Sequence, residues 1–389
     1  MVKKHMIPKI AFIDDGINPD FVSEGVHFDS YVVDGDEINR DKSVCGVTHG
    51  TRCYEIFRDN VQAPYHLVSI KVLNDTTGKG TNKAMLTALH WCAKHDIELI
   101  NMSMGTRQFS DFPPVVEAIE NLSNKLVVAA CSNSNTLTFP ACLPTVIGVR
   151  HCEHTHLQNN HIYIQNPYDQ IDVFVCTKDI NLSDCGENSQ TIYYSKLSNS
   201  LATPLITARI CDYISQEFVE LDVIRQRLKA DALDNCSFAD YGLYKSLLHK
   251  WEDLSIPIVA MLNNDSSTIN KLSALLDVFN RDGYRAIALT NTCSANVSNL
   301  IFQLEWRGEG CVSVTDLIML YYNFALPDIL FLHMDLHSLL SLAKELQLDI
   351  IIAQNGNDIA DCSNWDEAQV LELHDTEEKL YMKIRELLS

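Results

Sequence analysis

Short apolar runs and amphipathic segments alternate along the first half of the chain, and most of the runs end in polar residues. "KIAFIDDG" (9–16), "YHLVSIKVLN" (65–74), "IELINMSMG" (97–105) and "KLVVAACSNSN" (125–135) read as buried strands running into loops. Between them, "THGTRCYEIFRD" (48–59), "NKAMLTALHWCAKHD" (82–96) and "FPPVVEAIENLSN" (112–124) have helical spacing, the last with proline in its first turn, where it is tolerated. "TVIGVRHC", "HIYIQN" and "IDVFVC" add three short strands. Strands alternating with helices predict a mostly parallel sheet covered on both faces. In such sheets the reactive loops gather at the carboxyl ends of the strands, and "DDG", "SMG" and "SNSN" all fall there.

From Cys211 to about Glu252 the pattern is helical. A second alternation then begins: strand "IPIVAML" (256–262), polar loop "NNDSSTIN" (263–270) and helix "KLSALLDVFNRDG" (271–283), ending at glycine. Strands "YRAIALTN" and "PDILFLHMD", helix "LHSLLSLAKELQ" and strand "LDIIIAQNG" follow. The expected fold class is α/β, a parallel sheet flanked by helices followed by a second, smaller α/β domain. The expected boundaries are 1–215, a helical connector at 216–254, and a recognition domain at 255–389.

Charge narrows the partners. The chain has 30 basic and 51 acidic residues, a net −21. Residues 1–215 hold 17 and 24 (−7), and residues 216–389 hold 13 and 27 (−14). Such a surface repels phosphate backbones, so nucleic acid is not an expected partner, whereas a basic or neutral peptide would be attracted. No secretory signal or bilayer-length apolar stretch is present, so no membrane association is expected. Thirteen cysteines without a CxxC pair read as reduced thiols of a cytoplasmic protein.

Acyl transfer by a hydroxyl needs an imidazole base, a carboxylate to orient it, and donors for the oxyanion. Asp14 ends the first strand, His49 opens a helix, Asn133 follows "VVAA", and Ser200 lies in "SNSLATP" ahead of an apolar helical run. The blocks "IAFIDDGI", "THGTRCYEIF", "LINMSMG", "VVAACSNSN", "FPACLPTVIGV" and "SNSLATP" resemble, in order, six blocks of the subtilases, the subtilisin-like serine peptidases. The order Asp, His, Ser is that of subtilisin. The resemblance spans about residues 8–215. It implies Ser200 as nucleophile, His49 as general base and then acid, and Asp14 as the residue orienting His49. Asn133 and the Ser200 N–H become oxyanion donors. Ser103, Met104 and Gly105 would hold the substrate as an added strand. No metal and no cofactor are implied. Asp14 lies near the start of the sequence, which leaves no room there for the N-terminal folding domain of secreted relatives. Restraint is then expected from a narrow pocket or a recognition domain.

Three positions depart from the family blocks: Ser198-Asn199 for Gly-Thr, Ser132 for Gly, and Thr48 for Gly. Each adds a side chain in a tight turn, which costs most where φ is positive. A fold that binds peptide without cutting it is therefore the competing reading.

Other constellations read more blandly. "RHCEHTHLQNNH" packs His151, Cys152, Glu153, His154, His156 and His161 into twelve residues, and reads as an exposed hairpin rather than a metal site. The 255–389 half resembles a P-loop fold that has lost its loop: of the motif residues only Lys271 fits, with Asp265, Asn270 and Leu272 in the other places. Asp335 ends a strand as a metal-binding carboxylate does, and as buried strands commonly end. A nucleotide sensor in this half is a third reading. The half is also similar to C-terminal halves encoded with bacterial peptide-maturation systems, whose proteins become candidate partners. Cys53 reads as core packing rather than a second nucleophile. The function expected is a serine endopeptidase cleaving a specific peptide or precursor, such as the leader of a ribosomally made modified peptide.

Overall fold

Strand β1 (Lys9–Asp14) lies between two parallel strands and is buried from Ile10 onward, as in sheets whose faces are both covered. The computed structural model describes residues 7–41, 43–73, 80–134, 136–152, 161–165, 171, 173–175, 198–217, 220–233, 235–237, 256–262, 266–292, 295–304, 313–342, 346–354 and 368–388. The chain falls into two compact units, the first drawn from residues 1–107, 114–166 and 170–236, the second from the remaining stretches, chiefly 237–389.

The first unit continues with β2 (His27–Asp34), β3 (Glu37–Arg40), β4 (His66–Lys71), β5 (Leu99–Met102) and β6 (Leu126–Ala130). β7 (Ile147–His151), β8 (His161–Gln165), β9 (Val173–Val175) and β10 (Asn235–Ser237) complete its sheet. The order is β10-β8-β9-β7-β6-β5-β1-β4-β2-β3. The block from β9 to β2 is parallel throughout, while β8 and β3 run antiparallel to their neighbours. The β2–β3 hairpin turns on Gly35, whose φ of +62° glycine adopts without a Cβ penalty. The helices are α1 (His49–Asn60), α2 (Asn82–Lys94), α3 (Phe112–Glu120), α4 (Asn199–Gln216) and α5 (Leu221–Ala230).

Alternate residues of a strand share a face, so Ile10 and Phe12 of β1 point where Asp14 points. That face joins Cys53, Tyr54, Ile56 and Phe57 of α1 and Leu201, Ala202, Leu205 and Ile206 of α4 in one buried cluster. Phe12 meets Tyr54 and Phe57 edge-to-face. The packing that buries β1 thus brings both helix starts to the carboxyl end of that strand. Ile224 and Leu228 of α5 belong to the same cluster.

The second unit holds β11 (Ile258–Leu262), α6 (Ser266–Arg281), β12 (Ala286–Thr290), β13 (Ile301–Gln303), α7 (Val314–Ala325), β14 (Ile329–Met334), α8 (Leu336–Leu342), β15 (Ile350–Ala353), β16 (Gln369–Glu372) and α9 (Glu377–Leu388). Its sheet is wholly parallel, in the order β13-β12-β14-β11-β15-β16. The expected loop 263–270 is shorter than its sequence suggests. Ser266–Asn270 are the first turns of α6, held by the burial of Thr268. The helix expected over 241–254 lies outside the described residues.

Candidate active site

Asp14, His49 and Ser200, 151 residues apart at the widest step, form one hydrogen-bonded line. His49 Nδ1 lies 2.9 and 3.0 Å from the two carboxylate oxygens of Asp14, and Nε2 lies 2.9 Å from Ser200 Oγ. Asp14 is 2% and His49 8% exposed. Nδ1 faces a carboxylate, which assigns the proton to Nδ1 and leaves the Nε2 lone pair to accept from the Ser200 hydroxyl. Asp14 is the last residue of β1 and His49 the first of α1, as expected. Ser200 is the second residue of α4 rather than its forerunner.

Local chemistry fixes both helix starts. Thr48 caps α1: its Oγ1 accepts from Thr51 N at 3.0 Å, and the hydroxyl lies 2.6 Å from Gly16 O. Asp15 takes the other orphan donors, with Oδ2 accepting from His49 N at 3.0 Å and Oδ1 from Gly50 N at 2.7 Å. In α4, Pro204 has no N–H to give the Ser200 carbonyl four residues back. The Cys53 thiol supplies a substitute, donating to Ser200 O at 3.6 Å, and Ser103 Oγ donates to Cys53 Sγ at 3.2 Å.

The oxyanion loop is tied to the same helix. Asn133 Oδ1 accepts from Asn199 N at 2.9 Å, which leaves its NH₂ group as a donor. Among the described residues no acceptor takes the Ser200 N–H, one of the donors a helix start leaves open. Asn199, 4% exposed, uses both ends of its side chain: Oδ1 accepts from His151 N at 2.6 Å and Nδ2 donates to Ser132 O at 2.8 Å. Ser103–Gly105 follow β5. Asn101 Nδ2 donates to Ser103 Oγ at 3.0 Å, and Thr106 exchanges two 2.9 Å backbone bonds with Phe139. A Cβ on Gly105 would meet Phe139 O at 2.6 Å, so only glycine allows that approach.

The three departures carry no left-handed strain. Ser198 has φ −140°, Thr48 has φ −81°, and Ser132 is absent from the positive-φ residues. Thr48 and Asn199 instead add hydrogen bonds that glycine and threonine would not make in the same way.

Burial opposes the His49 cation, but the Asp14 carboxylate outweighs it with help from Cys53, so the imidazole titrates well above its ordinary 6.5. Burial, with the Asp14 charge second, pushes the Asp15 carboxyl up to about 6. Burial also raises the Cys53 thiol, which stays protonated as a donor. Asp14, His49 and Cys53 place three possible metal-ligand atoms within 4.8 Å of one another. Their contacts with one another and with Ser103 and Ser200 are those of a hydrogen-bond network.

The strands on either side of the histidine-rich segment do not pair with each other. β9 lies between β7 and β8, and Cys152 and His161 are buried, because the strands flanking the loop belong to the sheet. Glu153, His154 and His156 lie outside the described residues. In the second unit, Lys271 Nζ donates to Leu373 O at 2.6 Å and Asp375 O at 2.8 Å, so its cation is engaged by the backbone after β16. Asp335 caps α8, accepting from Ser338 N at 2.9 Å. Asp15 was not singled out in the sequence; tandem acids before a glycine are its only trace there, and their target lies 34 residues away.

Among the described residues no helix is long and apolar enough to cross a membrane, and no cysteine forms a disulfide. A family model described as the subtilase family, peptidase S8, matches residues 8–210. Subtilisin DY of Bacillus licheniformis is 31% identical over a 157-residue alignment covering 36% of this chain and 55% of that one. The chain thus spans about half the length of this curated relative. Among solved structures, a cold-adapted subtilisin-like serine proteinase matches with a TM-score of 0.43 at 20% identity, over 58% of this chain and 84% of its own. A lanthipeptide protease matches with a TM-score of 0.44 at 15% identity, over 58% and 80%.

Proposed function

The chain belongs to the subtilase family, and on that premise we propose that it is a serine endopeptidase that cuts a specific peptide or precursor. The observation that carries this reading is the continuous line from Asp14 through His49 to Ser200, with 2.9 Å at each joint. In the proposed reaction Ser200 Oγ attacks the scissile carbonyl while its proton passes to His49 Nε2. Asp14 holds the ring and stabilises the imidazolium. The Asn133 amide and the Ser200 N–H meet the oxyanion; losing one such donor typically costs ~10²–10³ in rate. His49 then protonates the leaving amine, and water hydrolyses the acyl-enzyme by the reverse sequence.

Substrate lies along Ser103, Met104 and Gly105 through main-chain bonds, which give affinity with little demand on sequence. Selection therefore falls to side-chain contacts at the cleft rim and to charge elsewhere. The leader of a ribosomally made peptide fits such an enzyme, with residues 255–389 serving recognition.

A fluorophosphonate probe tests the reading. It should label the chain at Ser200, and Ser200→Ala should abolish both labelling and hydrolysis while leaving the fold intact. An unlabelled but folded wild-type chain would instead mark a peptide-binding member that does not cut. Turnover by the Ser200→Ala protein would overturn the assignment.

A further inference from the structure

We propose that Arg107 selects substrates carrying an aspartate or glutamate on the acyl side of the bond that is cut, an inference that rests on the peptidase reading above. Arg107 is exposed and lies two residues beyond Gly105, where the substrate strand is held. Its Nη1 donates to Ser134 Oγ at 3.1 Å, next to the candidate oxyanion residue Asn133. The guanidinium therefore joins the two loops that flank Ser200.

Hydrogen bonds hold the frame around it. Thr106 and Phe139 exchange two backbone bonds, and Ser132 N donates to Thr138 Oγ1 at 2.9 Å. Asn133 Oδ1 is bonded to Asn199 N, directly before Ser200. The hydroxyls of Ser132 and Thr136 lie 2.7 and 3.0 Å from Ser134 Oγ, so three hydroxyls gather at the atom that holds the cation. Hydroxyl hydrogens turn toward whatever acceptor arrives.

Arg107 has no acidic partner among the described residues; Ser134 is its one hydrogen-bond contact. In a chain with 51 acidic and 30 basic side chains, an arginine without a carboxylate, held to the residue after Asn133, is a site left open for one. A guanidinium offers five N–H donors in a planar fork, and only one donation is in use. A carboxylate matches the remaining fork in paired hydrogen bonds. In the proposed binding mode the substrate's residues before the scissile bond run along 103–105 toward Ser200, which would bring a side chain on that side to Arg107 and Ser134. The chain's net charge repels an acidic peptide at long range, and this contact therefore acts as a local filter rather than as steering.

Digestion of a degenerate peptide library by the full chain, with sequencing of the products, reads the preference. Asp and Glu should be enriched at one of the three positions before the cut. Arg107→Glu should shift the preference toward Lys and Arg by roughly tenfold, as expected for reversing one exposed charge pair. Arg107→Gln, closer in size, should level it, and thermal melts of both variants check folding. An acidic preference that survives Arg107→Glu, or none in the wild type, overturns the proposal. If the wild type neither cuts nor takes the fluorophosphonate, the peptidase reading has failed, and the same library is passed over immobilised Ser200→Ala protein. Retention of acidic peptides that is lost on adding Arg107→Glu then supports the selector. Equal retention of acidic and basic peptides overturns it.

Discussion

Asn199 shows how one side chain can substitute for a family residue by doing different work. Its Oδ1 and Nδ2 bind the end of β7 and the oxyanion loop, while its N–H binds Asn133. Removing a buried partner leaves groups unsatisfied, at about 1–3 kcal/mol. Asn199→Ala should therefore lower kcat of the proposed reaction by roughly 10–100-fold with a smaller change in KM, since the loop positions a transition-state donor. A change confined to KM would show that Asn199 serves ground-state binding instead. For His49 the sign follows from its raised titration point. In the proposed reaction the neutral ring is the base, so kcat/KM should rise with pH through a midpoint above 6.5, and Asp14→Asn should move that midpoint down as well as slow the reaction. A rate profile between pH 5 and 9, with chemistry limiting, checks this; a midpoint below 6.5 contradicts it.

At the scale of elements, His161 opens β8 fully buried, with Nε2 donating to Leu228 O at 2.7 Å. Burial drives it down to about 4. The unfolded chain takes up this proton near 6.5 and the folded chain only near 4, so stability is complete above 6.5 and falls as pH drops across that window. The loss is on the order of 3 kcal/mol at the acid end. Melting temperatures between pH 7 and 4.5 should show it, and His161→Gln should flatten this part of the slope. The alternation of apolar runs was enough to read the central strands and α1, α2 and α3, because burial on both faces leaves a continuous apolar stretch. The β2–β3 hairpin escaped because both its strands are half exposed and lack such a run, although "DGD" carries its turn. The pairing of β8 is not legible, because sequence adjacency does not disclose that β9 lies between it and β7. The candidate triad was legible because each residue sits in a block with its own local pattern. Asp15 and the bonding role of Asn199 were not, since their partners lie tens of residues away and only packing brings them together.

For the whole molecule, charge is the property most open to test. Residues 216–389 carry −14 of the total −21. If this surface captures a basic precursor segment, raising salt from about 0.1 M to about 0.5 M should lower kcat/KM on such a precursor, because the screening length, ~10 Å at 0.1 M, falls toward ~3 Å at 1 M. A small activated ester, which has no such segment, should be hydrolysed equally well at both salt concentrations. Parallel losses would point to salt acting on the catalytic unit itself.

The placement of the three candidate residues along the chain also governs when activity can arise. Asp14 and His49 belong to the first quarter of the sequence, whereas Ser200 comes after nine of the ten strands of its sheet. Domains fold as units during synthesis at about 5–20 residues per second. On the proposed roles, a nascent chain therefore carries the base and not the nucleophile through most of the first unit's translation, and α4 must dock on α1 before the line closes. Until Ser200 has been made, the proposed reaction cannot cut the chain's own unfolded segments.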